Sequence, residues 1–262
     1  MVGHPFILVC PATRGLSLAL TRHYLRTTNL PVYATYRTGP STAVAENILT
    51  GMDVDKSRLK LLELDLMEDR SIEKAAAMLS DSLPKSGESY LHTAFFTGGI
   101  LYPERQAAEL NVEEIQRTFQ TNVIAHLLLI KHFSQFLPST RMASVLPQDH
   151  ISRWVHISAR VGSISDNRLG GWYSYRASKA ALNQVVKTFD LQLKQKRTRA
   201  MCVGAHPGTV KTDLSKEYWS GVAEGKLFQP EYAAEKLSKV VRGLTEEQRG
   251  RIWDWKGEEI LP

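Results

Sequence analysis

The sequence is poor in cysteine, with two among 262 residues, and it contains no long apolar run. Cys10 and Cys202 each lie in a short apolar stretch, so we expect two buried thiols rather than a disulfide or a metal pair. The early run PFILVC is too short for a signal peptide, and no run approaches the ~18 residues that a membrane span needs. These absences predict a cytoplasmic protein with no metal site and no membrane segment.

The sequence also lacks a concentrated block of basic charge. Its net charge is +6, from 33 lysines and arginines against 27 acidic residues, but no basic run reaches five residues. No nucleic-acid-binding motif accompanies this charge, so we expect no nucleic-acid partner. A small anionic ligand would instead account for a few of the cations.

Short apolar runs alternate with amphipathic stretches along the whole chain. Strands are predicted at 6–10, 32–36, 59–66, 91–97, 153–158 and 200–207, and helices at 15–28, 40–50, 70–82, 112–137, 172–196 and 230–244. This alternation predicts an α/β fold with a doubly wound parallel sheet and helices on both faces. Because no linker interrupts it, we expect a single domain over 1–262. Two patternless segments, 138–150 and 216–229, are candidate lids.

The strongest chemical signal is the segment YSYRASKAAL at 173–182. Tyr175 and Lys179 are four residues apart on a predicted helix and therefore share one face. An ammonium group beside a phenol stabilises the phenolate, so we expect the pKa of Tyr175 to be lowered toward neutral pH. Ser158 ends a predicted parallel strand, at the sheet edge where such folds bind ligands, and its hydroxyl could donate to a substrate carbonyl.

Together with other segments, these residues give the chain a resemblance to the short-chain dehydrogenases/reductases, and within them to the C-factor-like branch. The matching segments are the Y-x-x-x-K of Tyr175 and Lys179, Ser158 in ISARVGSISDNRLGG, Asn122 in FQTNVIAHL, and HPGTVKTDL at 206–214. The tail GRIWDWKGEEILP at 250–262 resembles the last strand of that branch. The resemblance implies a Rossmann-type sheet of about seven strands and a homodimer or homotetramer.

The resemblance also implies a role for each matching residue. Tyr175 would be the general acid, Lys179 would lower its pKa and hold the nicotinamide ribose, Ser158 would polarise the carbonyl, and Asn122 would support a water relay. The cofactor-binding residues would be Arg14, Gly15, Leu16, Arg37, Asp65, Leu66, Gly98, Gly99, Tyr175, Lys179, Pro207, Gly208, Thr209, Val210 and Thr212. The implied activity is reversible hydride transfer from NADPH to a ketone or aldehyde.

Two segments depart from the family pattern. In VCPATRGLSLAL, only Gly15 of the three expected glycines is present, with Pro11 and Ser17 at the other two positions. We expect this turn to bind a phosphate still, with Ser17 as a possible helix cap. In FFTGGIL, Phe96 and Thr97 replace two asparagines, and Thr97 is expected to take over part of their hydrogen bonding.

The end of the second predicted strand bears on the choice of cofactor. No acidic residue stands in ATYRTG to bind the ribose hydroxyls, whereas Arg37 lies there and Arg14 lies in the first turn. Guanidinium groups match phosphate geometry, so this pattern favours NADP(H) over NAD(H). The alternative is that both arginines are ordinary surface charges.

Further predictions concern the substrate, two histidines and a rival function. Residues 216–229, with Trp172, Tyr173, Tyr218 and Trp219 near the pocket walls, favour a hydrophobic or aromatic carbonyl or alcohol substrate. His156 and His206 are expected to be hydrogen-bonded neighbours of the site rather than participants. The rival is a nucleotide-binding signalling or regulatory protein of C-factor type with little or no catalysis.

Overall fold

The structure is a computed structural model that describes residues 3–86, 88–140, 142 and 146–262. The first half of the chain alternates strands and helices, and their bounds are β1 Gly3–Cys10, α1 Gly15–Thr27, β2 Val32–Tyr36, α2 Ser41–Leu49, β3 Leu59–Glu63, α3 Asp69–Ser82 and β4 Glu88–Phe96. The second half contains α4 Val112–Phe119, α5 Ala125–Phe133, β5 Ser152–Ile157, α6 Tyr173–Gln195, β6 Ala200–His206, β7 Thr209–Val210, β8 Leu227–Phe228, α7 Pro230–Gly243, β9 Ile252–Asp254 and β10 Glu259–Ile260.

Eight of the strands form one sheet in the order β10-β9-β6-β5-β4-β1-β2-β3. All neighbouring strands in it are parallel except β9 and β10, which are antiparallel. The sheet confirms the predicted α/β architecture. It has one strand more than the expected seven, because the tail at 250–262 turns at Gly257 and adds two strands rather than one.

Helices cover both faces of this sheet, as the alternation predicts. On β1, Phe6 and Leu8 belong to the core cluster beneath α3, α5 and α6, whereas Ile7 and Val9 belong to the cluster beneath α1, α2 and α7. This division follows from the strand period of two, which sends successive side chains to opposite faces. Cys10 and Cys202 are free and buried within the first cluster, as predicted.

The predicted helix at 112–137 is interrupted. Asn111 caps its start by accepting from the backbone N–H groups of Glu113 and Glu114. A π-helical turn at Gln120–Ile124 then separates α4 from α5, and a 3₁₀ turn follows at Ser134–Phe136. Such turns widen the helix locally and are frequent at functional sites. The interruption places Asn122 in the middle of the π turn.

The two candidate lids differ in how much of them the structure describes. Of 138–150, residues 141 and 143–145 lie outside the described residues, while Met142 and Leu146 pack with Tyr90. Most of 216–229 has local structure, with a 3₁₀ helix at Asp213–Gly221 and the short strand β8 paired to β7. Among the described residues, no helix is long and apolar enough to cross a membrane.

Candidate active site

One face of α6 lies against the carboxyl end of β5 and carries the predicted catalytic residues. Lys179 is buried, and its Nζ donates to the carbonyl oxygen of Ile157 over 2.9 Å, next to Ser158. Tyr175 lies one turn earlier on the same helix, and the Lys179 Nζ is 5.7 Å from the centre of its ring. The structure therefore brings these three residues together at the sheet edge where parallel folds bind ligands.

Burial controls the titration of both α6 side chains. It raises the pKa of Tyr175 above its ordinary value of 10.0 and lowers that of Lys179 to about 8. The expected lowering of the tyrosine pKa is therefore wrong for this arrangement, because burial disfavours the phenolate and the Lys179 ammonium group is bonded to Ile157 instead. At neutral pH the phenol keeps its proton, which is the state that a proton donor needs.

The side chain of Asn122 joins the π turn to two other elements. Its Oδ1 accepts from the Ile100 N–H over 2.8 Å, and its Nδ2 donates to the Ile100 carbonyl and to the Ser178 Oγ. Ser178 immediately precedes Lys179 on α6, so the amide links the segment after β4 to α6. The water relay expected at Asn122 stays a prediction.

Ser158 has a hydrogen-bond partner that the sequence did not reveal. Its Oγ donates to the Oδ1 of Asn183 over 2.5 Å, and the Asn183 Nδ2 faces the Gly162 carbonyl at 3.4 Å. A hydroxyl has only one proton, and in this arrangement it is bonded to Asn183, so the expected donation from Ser158 to a substrate carbonyl stays a prediction. The sequence signal for Asn183 is its spacing of four residues from Lys179, which places it on the same face of α6.

His206, the last residue of β6, is not the hydrogen-bonded neighbour that we expected. Its Nδ1 is buried and has no hydrogen-bond partner among the described residues. Burial is the largest influence on this imidazole and lowers its pKa to about 4. His156, by contrast, is fully hydrogen-bonded and completely buried, as expected.

The predicted phosphate turn connects β1 to α1. The Cys10–Pro11 peptide bond is cis, and Gly15 begins the helix with a φ of +53°. A Cβ atom at Gly15 would lie 2.9 Å from the Thr212 Cγ2, so a side chain here would be both strained and crowded. The Oγ of Ser17 donates to the Arg14 carbonyl, which corrects the expectation that it caps the helix.

The start of α1 suits a phosphate group. No side chain caps it, and its first turn contains no acidic residue. Helix N-termini with available backbone N–H groups attract anions. Leu16 lies in this first turn, and Arg14 precedes it with its side chain 84% exposed and its Nη1 3.9 Å from the Oδ2 of Asp213.

Further cofactor candidates lie at the ends of β2 and β3. Arg37 is exposed and follows the last residue of β2. β3 ends at Glu63, earlier than predicted, so Asp65 lies beyond the strand and its Oδ1 accepts from the Met67 N–H. Leu66 lies against Gly98, where an added Cβ would be only 2.5 Å from the Leu66 Cδ1.

The segment that follows β4 is tied to the phosphate turn. The Thr97 N–H donates to the Cys10 carbonyl over 2.7 Å, and its Oγ1 donates to the Pro11 carbonyl over 3.1 Å. Thr97 thus makes the kind of strand-linking bond expected of it. A Cβ atom at Gly99 would lie 3.5 Å from the Lys179 Nζ, so this segment lies next to Lys179.

Residues 207–212 follow β6, begin with Pro207 and include the short strand β7. Gly208 has a φ of +74°, and a Cβ atom there would lie 2.6 Å from the Phe228 ring. Thr209 and Val210 form β7, and the Val210 carbonyl accepts from the Ser215 Oγ. The Thr212 side chain caps the following 3₁₀ helix. Each of these contacts fixes the backbone of the segment that the sequence assigns to cofactor binding.

Of the four predicted pocket aromatics, Trp172 lies beside Tyr175 and Tyr218 packs against Trp172. The Trp172 ring is 6.2 Å from the Tyr175 ring and 4.7 Å from the Tyr218 ring, measured between centroids. Tyr173 is exposed. The Trp219 Nε1 donates to Ser215, and its ring packs under Lys211. Trp172 and Tyr218 therefore form an aromatic wall, of which Trp172 is the part next to the Tyr175 ring.

Glu104, which sequence reasoning missed, holds the start of α6. Its carbonyl accepts from the Trp172 N–H, and its Oε2 accepts from the Ser174 N–H over 3.3 Å. Trp172 has a left-handed φ of 50° and provides no side-chain cap. The carboxylate is buried at the positive end of the helix dipole, where it satisfies an otherwise unpaired N–H group.

The C-terminal hairpin braces the segment that follows Ser158. Arg160 donates to Asp166 within that segment and to Asp254 at the end of β9. The Ser165 N–H and Oγ both donate to the Pro262 carbonyl. The tail therefore contributes to the shape of the site as well as to the sheet.

Comparison with known proteins gives this geometry a context. A family model described as short chain dehydrogenase matches residues 5–223. The chain is 31% identical over 189 residues to 1-hydroxy-2-glutathionyl-2-methyl-3-butene dehydrogenase of Rhodococcus sp. (strain AD45), covering 72% of this chain and 74% of that one. It is 32% identical over 152 residues to the C-signal of Myxococcus xanthus, covering 58% and 81% respectively. The carbonyl reductase Sniffer of D. melanogaster has a similar structure, with a TM-score of 0.81 and 26% identity over 98% of this chain and 99% of that one.

Proposed function

Because this chain belongs to the short-chain dehydrogenase family and is an NAD(P)-dependent dehydrogenase/reductase, we propose that it is an NADPH-dependent reductase of ketones or aldehydes. The reaction is reversible with the alcohol. The observation that carries the proposal is the convergence of Tyr175, Lys179 and Ser158 at the carboxyl end of β5. A protein that only binds a nucleotide has no need of a positioned proton donor.

In this proposal Tyr175 is the general acid. When bound, the reduced nicotinamide supplies the hydride, and the phenol supplies the proton that the developing alkoxide needs. Burial keeps the phenol protonated, and Lys179 holds a positive charge near it at neutral pH. Ser158 lies beside them with its hydroxyl positioned by Asn183, and it would polarise the substrate carbonyl while Tyr175 supplies the proton.

The cofactor is assigned to the segments that meet at this sheet edge. The first turn of α1 would hold the pyrophosphate, Gly98 and Gly99 would border the ribose near Lys179, and residues 207–212 would border the nicotinamide. Arg14 is exposed and immediately precedes α1, and Arg37 is exposed and immediately follows β2. Both positions lie at the same edge of the sheet. With no acid after β2, this charge pattern favours the 2′-phosphate of NADP(H) over the free hydroxyls of NAD(H).

The aromatic wall of Trp172 and Tyr218 favours a hydrophobic or aromatic carbonyl substrate. The centre of the Trp172 ring is 6.2 Å from that of Tyr175 and 4.7 Å from that of Tyr218. Flat apolar surfaces of this kind bind aromatic groups through dispersion and offset packing. The similarity to a protein described as a carbonyl reductase supports carbonyl reduction in general.

A second candidate function is regulatory, and the similarity to the C-signal of Myxococcus xanthus favours it. In that case nucleotide binding would matter and turnover would not. The two candidates differ in whether the protein's function depends on the Tyr175 hydroxyl: a reductase needs its proton, whereas a regulatory protein needs only to bind the nucleotide. The cytoplasmic location, the homo-oligomer and the single domain stay predictions.

A fluorescence titration with NADPH and NADH tests the cofactor proposal. We expect NADPH to bind at least about tenfold more tightly than NADH, since a charge-matched phosphate contact is worth about 1.5–3 kcal/mol. The double variant Arg14→Ser/Arg37→Ser should remove most of this preference, whereas Arg26→Ser, at the other end of α1, should keep it. Equal binding of the two nucleotides by the unaltered protein would refute the arginine assignment, and binding of neither would refute the proposed function.

A further inference from the structure

A row of hydrogen bonds crosses the core behind the catalytic lysine. The Trp154 Nε1 donates to the His156 Nε2 over 2.9 Å. The Nδ1 atoms of His156 and His126 are 2.7 Å apart, and the His126 Nε2 is 3.0 Å from the Gly98 carbonyl oxygen. All three side chains have an exposed fraction of 0%. The row therefore runs from β5 through α5 to the segment that follows β4.

The two ends of this row determine which nitrogen atoms carry protons. An indole N–H can only donate, so the His156 Nε2 accepts and its Nδ1 carries the proton. The His126 Nδ1 must then accept, which leaves the proton on its Nε2, directed at the Gly98 carbonyl. Every ring nitrogen is satisfied with both imidazoles neutral, as complete burial requires.

The carbonyl at the end of this row belongs to the segment that approaches Lys179. A Cβ atom added at Gly98 would meet the Leu66 side chain, and one added at Gly99 would lie 3.5 Å from the Lys179 Nζ and 3.6 Å from the Asn122 Oδ1. Thr97 and Ile100, on either side, are held by other bonds. The bond from His126 is the side-chain contact that fixes the Gly98 carbonyl itself.

We propose that His126 is a positioning residue for the cofactor, and that His156 and Trp154 hold it in the tautomer that this role needs. With the opposite tautomer, the His126 Nε2 lone pair would face the Gly98 carbonyl and repel it. The Gly98–Gly99 segment would then shift at the point where it meets Lys179 and the ribose. The inference rests on the proposed function, because it assigns a role toward the NADP(H) of that proposal.

Nitrogen-15 NMR of the unaltered protein tests the proton arrangement without any substitution. Neutral imidazole nitrogens with and without a proton resonate far apart, so each tautomer has its own pattern. We expect a proton on the Nε2 of His126 and on the Nδ1 of His156. The reverse pattern in either ring, or an imidazolium at pH 7, would overturn the proposal.

Cofactor binding tests the positioning role. His126→Leu leaves the Gly98 carbonyl and the His156 Nδ1–H without partners, and we expect the Kd for NADPH to rise about tenfold or more. His126→Gln retains one acceptor and one donor and should stay within about threefold of the unaltered protein. His132→Leu makes the same change on α5 at a side chain that contacts Asp69 instead, and it should also stay within that range.

The possible outcomes separate the two proposals. If the unaltered protein binds NADPH and His126→Leu binds it equally well, the positioning role is wrong while the proposed function stands. If the unaltered protein binds no nucleotide, the proposed function is wrong. Should His126→Leu fail to fold, a His126→Gln variant with a Kd raised as much as tenfold would contradict the proposal, as would the wrong tautomers by NMR.

Discussion

The hydroxyl of Ser158 donates its proton to the carboxamide oxygen of Asn183 over 2.5 Å. Asn183 lies on α6 one turn beyond Lys179, and its Nδ2 faces the Gly162 carbonyl, which sets the orientation of the amide. The orientation of the Ser158 hydroxyl therefore depends on a residue outside the Ser–Tyr–Lys set.

Replacing Asn183 by leucine should separate this arrangement from a merely structural contact. Without the acceptor, the Ser158 hydroxyl loses its fixed orientation beside Tyr175. We expect kcat for carbonyl reduction to fall about tenfold, because one well-aligned hydrogen bond is lost. The KM for NADPH should change little. Gln184→Leu, at the exposed neighbouring position, is the matched control. An Asn183→Leu enzyme as active as this control would contradict the assignment.

Glu104 should contribute measurably to the stability of the protein. Glu104→Ala removes the acceptor for the Ser174 N–H at the start of α6, and loss of a helix cap costs about 1 kcal/mol. We expect the urea unfolding midpoint to fall by the corresponding amount. Glu73→Ala removes a carboxylate on the exposed face of α3 and should leave the midpoint nearly unchanged. Equal midpoints for the two variants would show that Glu104 is not a cap.

The buried histidines should make the fold sensitive to acid. Burial lowers the pKa of His126 from its ordinary 6.5 to about 3, so between these values the unfolded chain binds more protons than the folded one. The free energy of unfolding therefore rises with pH across this window and falls on acidification. Between pH 7 and pH 5, one such group contributes a loss of about 2 kcal/mol.

His126→Gln removes this titrating group while keeping a donor and an acceptor in its place. Denaturant unfolding at pH 7 and pH 5 should show a smaller loss of stability for the variant than for the unaltered protein. The remaining loss comes from other imidazoles, among them the partly buried His150 and His206, whose pKa values desolvation lowers to about 4. The same pH dependence in both proteins would refute the contribution of His126.

Much of the architecture could be predicted from the sequence because its apolar periods are regular. The strand at 32–36 was predicted with its observed bounds, and α1 and α7 to within one residue at their C-terminal ends. The convergence of Tyr175, Lys179 and Ser158 also follows from sequence, since a four-residue spacing defines one helix face and a strand end defines an edge. The roles of these residues remain to be tested.

The errors arise where contacts distant in sequence decide the outcome. The π turn at Asn122 is not visible in the amphipathic pattern of 112–137, because helix periodicity continues through it. Asn183 and Glu104 acquire their roles only from partners that are 25 and 70 residues away. The expected pKa of Tyr175 was wrong because spacing reveals a nearby ammonium group but not the depth of burial.

The most direct test of the central claim is the turnover of Tyr175→Phe with NADPH and an aromatic ketone or aldehyde that the unaltered protein reduces. Loss of the phenol proton should lower kcat by about a hundredfold or more, the usual contribution of a general acid. Binding of NADPH, measured by fluorescence on the same sample, should stay within about threefold. A Tyr175→Phe protein that binds NADPH and turns over as fast as the unaltered protein would contradict the account.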